Sequence, residues 1–191
     1  MRKFKKPEPL KISCTETDCA NDLHCFKAAR GMAKSDHGKC RACNADLVDW
    51  PRIHSRSIDD AGYTFNALKN ETIRHHFFHI DIDLRARNYA HRKGRKKLTE
   101  AIENRLGKYL AVAEPYRDGQ QTPFSDNPIF YAQHATAVCC RTCLQYWHGI
   151  PKGRTLTDEE FEYCVQLVEL YVDERLSDVV EEPIKVPPIR N

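Results

Sequence analysis

The sequence lacks any long hydrophobic run, and none of its stretches approaches the roughly 18 consecutive apolar residues that a membrane-spanning helix needs. The basic stretch MRKFKKPEPLKISC at the start is not followed by the apolar core of a signal peptide. Aromatic residues make up only 9% of the 191 residues, and no internal repeat or low-complexity tract appears. With 41% hydrophobic and 30% charged residues, the composition is that of a globular protein. We expect a cytoplasmic protein with no membrane partner.

Cysteine, by contrast, is abundant, with nine residues in the chain. Disulfides seldom persist in a reducing cytosol, and an odd number of cysteines cannot pair completely. Metal binding, thiol reactivity or core packing therefore explains these residues better than disulfides do. Five of them lie in the first quarter of the chain, three lie together about a hundred residues later, and Cys164 stands alone. Because Cys164 lies within an apolar helical pattern, we predict a small buried residue there.

Two CxxC pairs give the strongest metal signal. The spacing of Cys40 and Cys43, and again of Cys140 and Cys143, lets two thiolates of one tight turn reach a tetrahedral zinc ion. Each pair supplies half of a four-ligand shell, so we predict that these four cysteines share one zinc ion. Zinc held by another combination, which can include the neighbouring Cys139, remains an alternative.

A second metal site is predicted near the N-terminus from a less distinctive pattern. A CxxxxC spacing is followed there by a His-Cys pair, so that the candidate ligands are Cys14, Cys19, His24 and Cys25. They could complete a site of their own or lend ligands to the first one.

Several histidines are candidates for catalysis. In IRHHFFH, the spacing brings His79 onto the same helical face as either His75 or His76, and His54 lies between the two CxxC pairs. There is no HExxH sequence and hence no metalloprotease signature. A nucleophilic Cys139 or Cys140, with His134 or His148 as its base, is a further alternative, although a metal explains the CxxC pairs better.

A strongly basic segment spans residues 84–97 and contains no acidic residue. Such a run would neutralise several phosphates and is typical of a surface that binds DNA or RNA, whereas its other interpretation is a solvated helix face. The candidate nucleic-acid-binding residues are Arg85, Arg87, Arg92, Lys93, Arg95, Lys96 and Lys97.

Apolar spacing predicts helices over 58–80 and 95–110, and a Thr157-Glu160 capping box predicts a last helix. Residues 114–127 carry the prolines and glycine of a loop, and residues 128–138 resemble a short strand. We therefore expect an α+β, mainly helical fold, zinc-stabilised, with treble-clef or knuckle-like CxxC elements. The predicted units are a cysteine-rich module at 1–56, a helical domain at 57–178 and an extended tail at 179–191.

Three stretches resemble a bacterial domain-of-unknown-function family: DGQQTP at 118–123, NPIFYAQHATAVCCRTCLQYWHGIPKGR at 127–154 and LTDEE at 156–160. The cysteine-rich N-terminal region looks like an extension found in longer relatives. The resemblance implies that shorter relatives keep CCRxC and WHGI without the first CxxC pair. It therefore adds a competing local metal shell, made of Cys140, Cys143, His148 and His134.

The order of CxxC, histidines and CxxC is also similar in outline to that of HNH nucleases. This resemblance implies that His54, or one of His75, His76 and His79, activates water, and that His134 or His148 helps to hold magnesium or manganese. Leu144 stands where those enzymes commonly have a histidine. The sequence thus predicts a zinc-binding protein that binds DNA or RNA. An HNH-like nuclease and a protein-interaction adaptor with structural zinc are the alternatives.

Overall fold

The computed structural model describes residues 12–187 and residue 189. Residues 1–11 of the predicted N-terminal module and residues 188, 190 and 191 of the predicted tail lie outside the described residues. The α-helices are α1 Trp50–His54, α2 Ala61–Leu68, α3 Thr72–His79, α4 Leu84–Tyr109, α5 Pro128–Ala135, α6 Arg141–His148 and α7 Asp158–Arg175. Single 3-10 turns occur at Cys19–Asn21, Lys34–Asp36 and Ile58–Asp60.

The described part of the chain contains no β-strand. Its ladder-type pairings are isolated bridges, one between Asp18 and Leu23 and one between His24 and Glu71. The predicted mainly helical fold is confirmed, whereas the α+β assignment is not supported. Because a treble clef contains strands, the treble-clef form of the predicted CxxC elements is not supported by these residues, and the knuckle-like form stays a prediction. No helix within the described ranges is both long enough and apolar enough to cross a membrane.

Helix α7 lies at the centre of the helical packing, in contact with α2, α4 and α5. It begins with the predicted capping box: Thr157 Oγ1 accepts a hydrogen bond from Glu160 N, and the Glu160 carboxylate accepts one from Thr157 N. Leu167, Val168 and Tyr171 on its apolar face are fully buried. Both the start and the buried face of this helix follow from its sequence, as expected for a long amphipathic segment.

Helix α4 begins at Leu84, earlier than the predicted start near residue 95. Asp83 caps it by accepting a hydrogen bond from Ala86 N at 2.9 Å. The predicted ladder of apolar residues is buried against the core, and its members are Leu98, Ile102, Leu106 and Leu110. The basic segment therefore lies within the first half of this helix, where no acidic side chain of the helix balances its charge.

Gly94 interrupts α4 with a φ of 68°, and the segment after α7 crosses the helix at this point. Arg95 N donates a hydrogen bond to Val180 O at 3.0 Å, and Ile184 N donates one to His91 O at 2.9 Å. A Cβ atom at position 94 would lie 2.5 Å from Glu181 O. The described start of the predicted tail is thus held against α4 through a contact that requires glycine.

Residues 128–135 form α5, so the predicted strand is wrong for these residues. The Asn127 side chain accepts a hydrogen bond from Ile129 N, and Pro128 occupies the first turn, where its missing N–H costs nothing. Helix α5 is buried on nearly all sides, packed between α3 and α7. A short segment buried all round gives an apolar run without helical periodicity, which cannot be told from a buried strand.

Candidate metal centres

Cys19, His24, Cys40 and Cys43 form a group whose ligand atoms all lie within 4.8 Å of one another. The Sγ atoms of Cys19 and Cys40 are 3.7 Å apart, and Cys43 Sγ lies 3.4 Å from His24 Nδ1. With Zn–S bonds of ~2.3 Å, tetrahedral geometry requires neighbouring sulfurs about 3.8 Å apart. The four side chains, which we call the N-terminal tetrad, are therefore spaced to hold one tetrahedral metal ion.

Backbone hydrogen bonds place His24 beside the start of α3. His24 N donates to Asn70 O at 2.8 Å, and Thr72 N donates to His24 O at 2.8 Å. The bridge between Asp18 and Leu23 closes the loop that carries Cys19 back towards His24. The backbone of one histidine ligand is thus bonded directly to the start of α3.

The Cys40–Cys43 pair lies on a tight turn. Asn44, with a φ of 62°, donates from its N to Cys40 O at 2.9 Å, and Cys40 N donates to Ala45 O at 2.8 Å. Burial opposes ionisation of the Cys40 thiol, but backbone N–H groups, that of Cys43 foremost, lower its pKa to about 6. This lowering favours the thiolate, the form that binds metals.

A second group consists of Cys139, Cys140 and Cys143, whose sulfurs also lie within 4.8 Å of one another. We call it the C-terminal trio. Cys140 is the N-cap of α6, and its Sγ accepts a hydrogen bond from Cys143 N at 3.4 Å. Hydrogen bonds from the Cys139 and Cys140 thiols lower the pKa of Cys143 well below its usual range. The trio therefore carries negative charge at the positive end of a helix.

Arg74 of α3 is the buried cation beside the trio, with only 2% of its surface exposed. Its Nη2 donates to Cys143 Sγ at 3.3 Å, its Nη1 donates to His134 O at 2.6 Å, and its Nε donates to Glu71 Oε2 at 3.0 Å. A planar guanidinium can satisfy three such acceptors at once. Arg74 thus joins α3, α5 and α6 around the three sulfurs.

Glu71, which is 1% exposed, holds Arg74 in place from the other side. Its carboxylate also accepts hydrogen bonds from Tyr146 Oη at 2.7 Å and from Trp147 Nε1 at 2.6 Å. A buried carboxylate is stable only when its oxygens are satisfied in this way. Sequence reasoning missed both charged residues, although an arginine between the apolar Ile73 and Phe77 was a usable signal.

The two CxxC pairs do not come together as predicted. Cys40 and Cys43 meet Cys19 and His24, whereas Cys140 and Cys143 meet Cys139. The physical reason is that each pair has nearer ligand partners. The turn with Cys40 and Cys43 packs against the loop that carries His24, whereas Cys140 and Cys143 follow directly after Cys139. Of the predicted N-terminal site, Cys19 and His24 are brought into the tetrad, whereas Cys14 and Cys25 belong to neither group.

His134 and His148, proposed as ligands or bases, lie outside both groups. His134 Nε2 lies 3.2 Å from Thr122 O and 3.1 Å from Pro123 O, while His148 Nε2 lies 3.0 Å from Thr136 O. Burial lowers the pKa of each to about 4. Both are therefore neutral rings at neutral pH whose Nε2–H groups bond to backbone carbonyls.

The remaining cysteines occupy different surroundings. Cys14 is exposed and lines a cavity next to Cys140 and Cys143. Cys25 is buried, and its thiol lies 3.6 Å from Cys14 O. Cys164 is fully buried on α7, as predicted for a core residue.

The candidate catalytic histidines are not gathered around either metal group. His75 and His79 stack with their ring centres 3.9 Å apart, as helical spacing predicts. His76 is half-buried on the same helix. His54 is packed beside Trp50, and its buried Nε2 has no hydrogen-bond partner in the described part of the chain. A nuclease role for these residues stays a prediction.

Much of the basic segment is paired with acidic side chains from elsewhere in the chain. The ion pairs are Arg85 with Asp126, Arg87 and His91 with Asp178, and Arg95 with Asp173. Arg92, Lys96 and Lys97 are exposed, whereas Lys93 lies over the Tyr89 ring. The acidic C-terminal region thus accounts for part of the positive charge on α4.

Comparison with known proteins places the chain at the level of a family. No solved structure matches the chain. Residues 62–173, more than half of the chain, match the family described as Domain of unknown function (DUF4186), and the chain therefore belongs to this family.

Proposed function

We propose that this chain is a zinc-binding protein in which the N-terminal tetrad holds a structural zinc ion. The observation that carries the proposal is the closed set of three sulfurs and one imidazole nitrogen within 4.8 Å. Thiolate and imidazole donors in tetrahedral arrangement favour zinc over magnesium or calcium, which prefer oxygen ligands. In a cytoplasmic compartment, which we also propose, the thiols would stay reduced and able to bind metal.

The ion would fasten the loops that precede α1 to the helical domain. Between residues 12 and 49 the regular structure consists of two 3-10 turns, at Cys19–Asn21 and Lys34–Asp36. Loops of this kind bury few backbone hydrogen bonds and gain order from a metal that joins distant ligands. His24 is already bonded to Asn70 and Thr72, so zinc would link both cysteine loops to the start of α3.

Elemental analysis of the purified protein tests this proposal. We expect Cys40→Ser to contain one zinc equivalent fewer than wild type, while Cys164→Ser, which alters a buried cysteine outside both groups, keeps the full content. Because Cys40→Ser could also disturb folding, His24→Cys serves as a second variant: it preserves four ligands and should retain the zinc. Equal zinc content in Cys40→Ser and wild type would overturn the proposal.

Nucleic-acid binding through the basic segment is a second proposal, supported by the exposed side chains of Arg92, Lys96 and Lys97. Filter binding to DNA and RNA should weaken with rising salt, because phosphate contacts release counterions. A Lys96→Glu and Lys97→Glu double variant should bind less tightly than Lys34→Glu, which alters an exposed lysine elsewhere. Affinity that is independent of salt would contradict this proposal.

The nuclease alternative predicts cleavage in the presence of magnesium or manganese that disappears in His54→Ala or His79→Ala. The adaptor alternative predicts neither nucleic-acid binding nor cleavage, together with a stable protein partner.

A further inference from the structure

The C-terminal trio differs from the N-terminal tetrad in the number of metal ligands that it offers. The tetrad offers four ligand atoms, whereas the trio offers three, and the described residues place no fourth histidine, cysteine or carboxylate within its 4.8 Å group. The trio also lies inside the family-matched residues 62–173, while the tetrad precedes them. The two groups are therefore separate sites, and only the trio belongs to the matched domain.

Hydrogen-bond donors next to the trio would support its sulfurs around a divalent ion. Arg74 Nη2 and Cys143 N donate hydrogen bonds to Cys143 Sγ and Cys140 Sγ, respectively, at 3.3 and 3.4 Å. Such N–H···S bonds orient metal-binding sulfurs and offset their charge. Three thiolates and one divalent ion together carry one negative charge, and the Arg74 guanidinium, which also pairs with Glu71, lies directly beside them. A buried charge of this kind needs such a cationic partner.

A cavity of about 210 Å³ is lined by two of the three cysteines. Cys140 and Cys143 form part of its wall, and the other lining residues include Lys27, Arg74, Thr142 and Tyr146. Cys14 also lines this cavity but lies outside the 4.8 Å group. The cavity therefore supplies space for a small molecule beside the sulfurs rather than a fourth protein ligand at bonding distance.

We propose that Cys139, Cys140 and Cys143 hold a second zinc ion whose fourth coordination position faces this cavity and exchanges water for a small anion. Three protein ligands with one open position are the arrangement of catalytic rather than structural zinc sites. The preference for an anion follows from Lys27, which lines the cavity, and from the N-terminus of α6, whose N-cap Cys140 forms part of the cavity wall. This site is independent of the structural zinc proposed above.

Cobalt-substituted full-length protein provides the test, with azide as the probe anion. An open position predicts that azide shifts the visible cobalt spectrum of the wild type saturably. The same response should persist in Cys40→Ser, which removes only the tetrad ion, and should vanish in Cys143→Ser together with one cobalt equivalent. Failure of the tetrad proposal would leave the azide response intact, so the two proposals can fail separately.

Variants of the cavity wall then test the preference for an anion. Lys27→Met should weaken azide binding by about fivefold, as expected for loss of one exposed charge contact, while Lys34→Met should leave it unchanged. If azide has no effect on wild type and Cys14→Ser alters the cobalt spectrum, Cys14 is the fourth ligand and the open position is refuted. If Cys139→Ser and Cys143→Ser both bind as much cobalt as wild type, the trio is not a metal site.

Discussion

The guanidinium of Arg74 lies 3.3 Å from the Cys143 sulfur and joins the C-terminal trio to the carboxylate of Glu71. Both charged side chains are buried, since Arg74 is 2% exposed and Glu71 is 1% exposed. The charged pair therefore connects a prospective metal site with the aromatic core around Trp147, which donates a hydrogen bond to the same carboxylate.

Replacement of Arg74 by methionine should destabilise the protein strongly. The variant would leave Glu71 as a buried carboxylate without its cationic partner, and breaking such a pair costs about 3–5 kcal/mol. Urea denaturation of matched samples measures this change in the free energy of unfolding. Arg92→Met, at an exposed arginine on α4, is the control and should change stability by less than about 0.5 kcal/mol.

Arg74→Lys distinguishes charge from geometry at the same position. An ammonium group keeps the charge but cannot reach the three acceptors that the guanidinium serves. We expect a stability between those of wild type and Arg74→Met. If the lysine variant were as stable as wild type, the three-way hydrogen bonding of Arg74 would contribute nothing measurable.

Metal removal should loosen the N-terminal loops before it affects the helical core. After chelation, we expect the amide protons of His24 and Thr72 to exchange about tenfold faster or more, because their hydrogen bonds link the tetrad to α3. The amide of Val168, in the buried middle of α7, is the internal control. Hydrogen exchange measured by NMR checks this, and an equal acceleration at Val168 would indicate global rather than local opening.

The sequence predicted those parts of the fold that depend on local patterns. The capping box of Thr157 and Glu160 and the apolar ladder of α4 appear in the structure because both arise from spacing within a single helix. Helix α5 was predicted as a short strand because a helix that is buried on nearly all sides shows no helical spacing of its apolar residues. Its Asn127-Pro128 start was nevertheless readable from the sequence.

The grouping of the ligands could not be predicted in the same way. CxxC spacing identifies pairs, but which pairs share an ion depends on contacts between distant segments, such as the hydrogen bonds between His24 and the Asn70–Thr72 stretch. The ion pairing of the basic residues could not be predicted either. Their acidic partners, Asp173 and Asp178, lie about 80 to 90 positions further along the chain.

The buried histidines should make the protein sensitive to mild acid. Burial lowers the pKa of His134 and of His148 to about 4, whereas the unfolded value is about 6.5. The unfolded chain therefore takes up protons first, so the stabilising contribution is complete above pH 6.5 and is lost as the pH falls towards 4. Each ring contributes on the order of 3 kcal/mol to this loss.

Denaturation curves between pH 7 and pH 4 test the role of His148. His148→Gln should show a shallower decline in the free energy of unfolding than wild type over this range. His37→Gln, which removes an exposed histidine, is the control, and its free energy of unfolding should decline as steeply as that of wild type. Acid release of bound metal would affect all three proteins alike. Parallel curves for wild type and His148→Gln would mean that this ring does not set the acid response.

Gly94→Ala tests the contact between α4 and the segment that follows α7. The added Cβ would meet Glu181 O at 2.5 Å, and the backbone at position 94 has a φ of 68°, which disfavours residues with a Cβ atom. We expect a loss of about 2–4 kcal/mol, from backbone strain and steric overlap together. Gly119→Ala is a matched control, because Gly119 has a φ of 87° but open space around its Cβ position, so that only the strain of about 1–2 kcal/mol applies. Urea denaturation of the two variants isolates the steric term. Equal losses would show that residues 180–184 move away from α4 at little cost, and a larger loss in Gly94→Ala would show that this crossing is part of the folded domain.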